Sequence, residues 1–140
     1  MKDVLIDIKG TQTVNGEDDS VSLTTVGRMN VIGGKTYLKY EDCTSNEGES
    51  ISCLIKVDPS DDSVIMQRSG TFNSRMYIKK GQRHTCHYET AAGTIVMGIF
   101  GENVRNELSN NGGRLSVSYT IDVNYGLLSK NSVEISVKEV

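Results

Sequence analysis

The 140-residue chain has no tryptophan, one proline and two histidines, and aromatic residues make up only 6% of it. A single proline excludes a proline-rich linker or recognition tract. No window approaches the ~18 consecutive apolar residues of a membrane-spanning helix. The first ten residues, MKDVLIDIKG, are interrupted by Asp3 and Asp7 and hold no signal-peptide core, so a cytoplasmic location is expected. Positive charge is not in excess either: 15 Lys and Arg against 18 Asp and Glu give a net charge of −3. That argues against bulk binding to nucleic acid or to an anionic membrane. The three cysteines, Cys43, Cys53 and Cys86, are odd in number and form no CxxC pair, which points to reduced thiols in a reducing compartment. GxSxG, HExxH, P-loop and GxGxxG motifs are all missing, so no common catalytic or nucleotide-binding signature marks an enzyme.

What is present is period-2 alternation. Val4, Ile6 and Ile8 share one strand face, as do Ile51, Cys53, Ile55 and Val57, and the run from Leu115 to Val123 alternates best of all. Turn signals separate these runs: Asn15-Gly16, Gly33-Gly34, residues 45–49, Asp58-Pro59-Ser60-Asp61, Ala91-Ala92-Gly93 and Tyr125-Gly126. Only residues 102–112 break the pattern. There Val104 and Leu108 lie four apart ahead of Asn111-Gly112, the spacing of one short helix near 102–111. The expectation is a single all-β domain over 1–140, an antiparallel meander barrel of about eight to ten strands. Closing the sheet would remove its exposed edges.

Three stretches carry a resemblance: Arg68-Ser69-Gly70, Tyr88-Glu89-Thr90-Ala91-Ala92-Gly93 and Gly112-Gly113-Arg114-Leu115-Ser116-Val117-Ser118-Tyr119. They resemble the YwiB-like family of small bacterial proteins, a domain of unknown function, over roughly residues 64–137. Ala91 stands where that family usually has proline. The resemblance implies a lipocalin-like (calycin) β-barrel and brings no catalytic residues.

Alternation predicts an interior containing Ile6, Ile55, Met66, Ile78, Val117, Tyr119, Ile121 and Ile135. Pairing Leu38 and Tyr40 with Val57 and Ile55 sets Asp42 opposite Cys53 and turns Cys43 to the other face, against a Cys43–Cys53 disulfide. His84 and Cys86 share a face and His87 points away, so this cluster offers too few donors for a structural zinc, and neither metal nor cofactor is expected. A three-residue loop Ala91-Ala92-Gly93 would pair Tyr88 with Val96. It would place Val96 and Phe100 inside and leave Ile95, Met97 and Ile99 outside, as a patch for a covering segment or a homodimer partner.

Residues 63–88 contain five basic and no acidic residues, so the rest of the chain carries −8. With Phe72, Tyr77 and Tyr88 interleaved, this segment fits a solvated, edge-protecting strand pair, an anion-binding mouth, or a face for single-stranded nucleic acid. Arg68 follows Val64 and Met66 with period 2 and should point inward. An arginine there needs solvent at the rim, backbone carbonyls near Gly70, or an anionic ligand. Tyr88 and Tyr119 would supply further hydrogen bonds and Arg83 charge at the mouth. The reading that follows is a non-enzymatic barrel holding a small anionic or amphipathic ligand. Its alternative is a filled barrel binding a protein, or less readily single-stranded nucleic acid, through its outer wall.

Overall fold

The computed structural model describes residues 1–42 and 51–140. Ten strands make one antiparallel sheet: β1 (Lys2–Val14), β2 (Glu17–Ile32), β3 (Lys35–Asp42), β4 (Ile51–Asp58), β5 (Ser63–Ser69), β6 (Ser74–Lys79), β7 (Arg83–Thr90), β8 (Gly93–Ser109), β9 (Gly112–Val123) and β10 (Gly126–Glu139). Their order around the sheet is β6-β5-β4-β3-β2-β1-β10-β9-β8-β7, a meander curled into a nearly closed barrel. No described helix is long and apolar enough to cross a membrane.

Short turns set the register. Asn15 and Gly16 form a two-residue hairpin with φ of 52° and 78°, the left-handed pair that matches strand twist. The two ends of the chain join the sheet together, since β1 pairs with β10 from Val4↔Glu139 to Thr13↔Lys130. The seam falls instead between consecutive strands: among the described residues no ladder joins β6 to β7. A few bonds cross it. The Cys86 thiol donates to the Arg75 carbonyl (3.1 Å), the Asn73 N–H donates to Glu89 Oε2 (2.8 Å), and the Gly81 N–H donates to the Gly101 carbonyl (2.8 Å).

Six of the eight residues expected inside are buried: Ile6, Ile55, Ile78, Val117, Tyr119 and Ile135. Met66 and Ile121 are partly buried and pack against that core. The segment expected as a helix is strand. Val104 pairs with Val117 and Leu108 with Gly113, so both face the interior at strand spacing. A bulge between Gly101 and Asn103 moves the inward face of β8 from odd to even positions there. That parity change gives two inward residues four apart with no alternation leading into them, which imitates a helical spacing.

The outward row on β8 also differs from expectation. The β7–β8 turn has two residues, Ala91 and Ala92, and Thr90 pairs with Gly93. One residue fewer in the loop flips every side chain. Met97 and Ile99 are therefore buried, Ile95 is 44% exposed at the barrel end, and Val96 and Phe100 are the outward pair. The β3–β4 register is displaced by two residues: Tyr40 lies opposite Cys53 and Asp42 opposite Ile51. A shift of two keeps every face. Cys43 and the turn at 45–49 lie outside the described residues; the Cys53 thiol is free.

Candidate functional site

One half of the barrel is filled. There Ile6, Met29, Leu38, Ile78 and Leu115 are fully buried and meet across the axis. The other half, toward the β1–β2 and β9–β10 turns, holds a cavity of about 570 Å³. Its wall is apolar at Ile8, Leu23, Ile55, Met66, Met76 and Val133, and polar at Tyr40, Asp42, Cys53, Arg68 and Tyr119.

The polar group is assembled by register. Tyr40 pairs with Cys53 and Cys53 with Arg68, so β3, β4 and β5 set the three side chains in one row across the inner face. Asp42 follows Tyr40 on the same face and meets Arg68, Nη2 to Oδ2 at 3.4 Å. That is well beyond the ~2.7–2.9 Å of a tight guanidinium–carboxylate bond. The Arg68 side chain remains 47% exposed, against 13% for Asp42. Arg68 thus leans from the wall into the cavity mouth with one long contact.

Tyr119 lies on β9 between Gly101 of β8 and Asn131 of β10, and is 7% exposed. Burial pushes its phenol up to about 12, while the nearby Arg68 charge pulls the other way. Its hydroxyl lines the cavity and makes no hydrogen bond among the described residues. Burial also raises the Tyr40 phenol, with the neighbouring Cys53 adding to the effect. The Cys53 thiol is raised by burial and eased by Arg68. All three groups stay neutral at pH 7, so the charge of this site comes from Arg68 and Asp42, with the exposed carboxylate of Asp19 on the opposite wall.

Of the four residues expected to bind a ligand, Arg68 and Tyr119 come together on one cavity. Tyr88 has inward parity but is 43% exposed at the rim and lines no cavity wall. Arg83 is on the outer wall, on the opposite face of β7 from Cys86. Its guanidinium crosses the bare Cα of Gly98 and donates to both oxygens of Asp122, at 2.9 and 2.7 Å. The Tyr125 ring covers it at 4.1 Å. Arg83 is satisfied there and adds no charge at the mouth. Tyr125 itself sits in the left-handed region (φ 68°), held by its N–H to Asp122 Oδ1 at 3.1 Å.

Tyr40, Cys53 and Asp42 were not singled out as site residues in the sequence. Alternation alone puts Leu38, Tyr40 and Asp42 on one face, but only the observed register sets Tyr40 beside Cys53 and Cys53 beside Arg68. Among the described residues no three His, Cys, Asp or Glu side chains gather as a metal would require.

The Arg83–Asp122 pair has a pH signature. Arg83, with its hydrogen bonds and charge, holds the Asp122 carboxyl below its ordinary value. A depressed folded-state pKa stabilises the fold above the unfolded carboxylate value, near ~3.9, and loses that effect as pH falls through the folded value. The gap in urea midpoint between wild type and Asp122→Asn should be widest at neutral pH and close below about pH 4. A gap unchanged from pH 7 to pH 3 would contradict the assignment.

A ten-strand meander barrel, hollow at one end with an arginine in its mouth, defines the class. The chain belongs to the family described as a domain of unknown function, DUF1934, which matches residues 6–135. Among solved structures it is similar to the ywiB protein from Bacillus subtilis, with a TM-score of 0.86, 19% identity, and coverage of 99% of this chain and 92% of that chain. At that identity the likeness is one of fold. No curated protein matches the chain.

Proposed function

We propose that the protein is a non-enzymatic binding barrel that holds a small amphipathic anion in the half-barrel cavity. Arg68 receives the anionic group, Tyr119 donates a hydrogen bond to it, and the apolar wall takes the rest. The observation that carries this reading is the pairing of a hollow of about 570 Å³ with an arginine held by a single long contact. Ligand pockets run from ~300 to 1,000 Å³, mostly apolar with a few convergent polar groups. The free thiols Cys53 and Cys86 support a reducing, cytoplasmic setting.

The experiment is a thermal-shift screen of fatty acids, nucleotides and phosphorylated metabolites on wild type and Arg68→Met. A ligand at 100 times its Kd stabilises the folded state by ~2.7 kcal/mol, and the shift should follow ligand concentration. Wild type should respond and Arg68→Met should not. Equal shifts in both proteins would refute the role of Arg68.

Gly10 provides a second test. It faces the cavity from β1, and a Cβ added there would lie 3.5 Å from Val21 Cγ2, an ordinary contact. Gly10→Leu should therefore fold, fill part of the hollow and abolish the ligand shift. Unchanged ligand response in Gly10→Leu would place binding elsewhere.

One observation favours a second reading. Val96 (50% exposed), Phe100 (38%), Tyr125 (81%) and Leu127 (62%) surround the neutralised Arg83–Asp122 pair on the outer wall. In that reading the wall of β7–β10 contacts a macromolecule, and a second copy of the chain is the simplest occupant. Light scattering on wild type and Val96→Lys separates the two: a dimer lost in the variant supports it, and a monomer at all concentrations removes the homodimer.

A further inference from the structure

A second cleft, of about 650 Å³, opens on the outside of the barrel at the β6–β7 seam. It shares three lining residues with the inner cavity: Gln67, Arg68 and Ser74. The pairing explains how. Arg68 and Ser74 are partners on the inner face, while Gln67 and Arg75, the neighbouring pair, face outward. Residues of both faces line one opening only where it wraps around the end of the β5–β6 ladder, which is where the sheet fails to close.

The cleft is as polar as the cavity is apolar. Arg68 and Arg75 bring two permanent positive charges, His87 an imidazole, and Ser69, Ser74 and Thr94 hydroxyls. Its one carboxylate, Glu89, keeps its negative charge but is turned to the Asn73 N–H at 2.8 Å, and Asp42 meets Arg68 only at 3.4 Å. Among the described residues Arg75 has no carboxylate partner. A carboxylate ligand would be satisfied by the Arg68 fork alone. Two guanidinium groups with flanking donors match a head with three oxygens and close to two negative charges.

We infer that the ligand is an amphiphile with a phosphate-type head, its tail in the half-barrel cavity and its head at Arg68 and Arg75 in the seam. This inference rests on the binding reading above and specifies its ligand class.

Isothermal titration calorimetry with decyl phosphate, decanoate and inorganic phosphate tests it on wild type, Arg68→Met and Arg75→Met. Arg75 is exposed, and the substitution keeps the backbone carbonyl that Cys86 uses, so the variant should fold. Decyl phosphate should bind wild type about ten-fold more tightly than decanoate, the scale of one added charge-assisted hydrogen bond. Arg75→Met should remove that advantage and leave decanoate within about two-fold, while Arg68→Met weakens both. Decanoate binding that depends on Arg68, with no preference for decyl phosphate, would overturn the phosphate head and leave the binding reading standing. Binding of neither amphiphile would remove both. Inorganic phosphate binding as tightly as decyl phosphate would show that the tail is not held, and would overturn the joined arrangement.

Discussion

Ile99→Ala is expected to destabilise the barrel by about 2–5 kcal/mol, the range for emptying a fully buried aliphatic site. Val96→Ala, three residues away on the same strand, should change stability by no more than about 0.5 kcal/mol. Ile99 is 1% exposed and pairs with Ile121 in the core, whereas Val96 is half exposed on the outer wall. The substitutions are chemically similar, so the contrast isolates the direction each side chain points. Urea denaturation of both variants reads it. A large loss for Val96→Ala with a small one for Ile99→Ala would restore the three-residue turn and invert the strand.

The second large effect concerns the seam. Gly101 lies where β8 passes beside the end of β6, and a Cβ there would collide with the backbone carbonyl of Lys79. Its own carbonyl and N–H hold the 81–82 segment, accepting from Gly81 at 2.8 Å and donating to Gln82 at 3.1 Å. Backbone on both sides leaves no side chain to move aside. Gly101→Ala should cost about 1–3 kcal/mol, the usual range for overpacking, and raise amide exchange in residues 79–83 above that of the β1–β10 ladder. Uniform exchange with an unchanged urea midpoint would show that the contact does not hold the seam.

These two strands also mark how far the sequence could be read. The all-β meander followed from alternation and turn residues, because period 2 is dictated by the pleat wherever one face is buried. Face assignments survived on β1, β4, β5, β6 and β9, and on β10 beyond its bulge between Leu127 and Ser129. On β3 the pairing partners moved by two residues and the faces held. On β8 the stretch from Thr94 to Gly101 is apolar on both faces, so only the turn length could set its direction. The step from a three-residue to a two-residue loop turned Met97 and Ile99 inward. The bulge at Glu102 left no mark beyond an apparent helical spacing.

The site was half legible for the same reason. Arg68 and Tyr119 could be placed inward from their own strands. Asp42 and Tyr40 depend on inter-strand register, and Arg83 depends on a glycine of the neighbouring strand and a carboxylate two strands away. The bare surface of Gly98 lets its guanidinium reach Asp122, and nothing local to residue 83 encodes that.

A binding barrel requires a ligand in the half-barrel cavity. Native mass spectrometry of the protein purified without denaturation from its own cells tests it most directly. Wild type should carry one small molecule per chain, released on collisional activation, and Gly10→Leu prepared identically should show the mass of the chain alone. The bare chain mass for wild type, or an adduct of equal occupancy in Gly10→Leu, would contradict it.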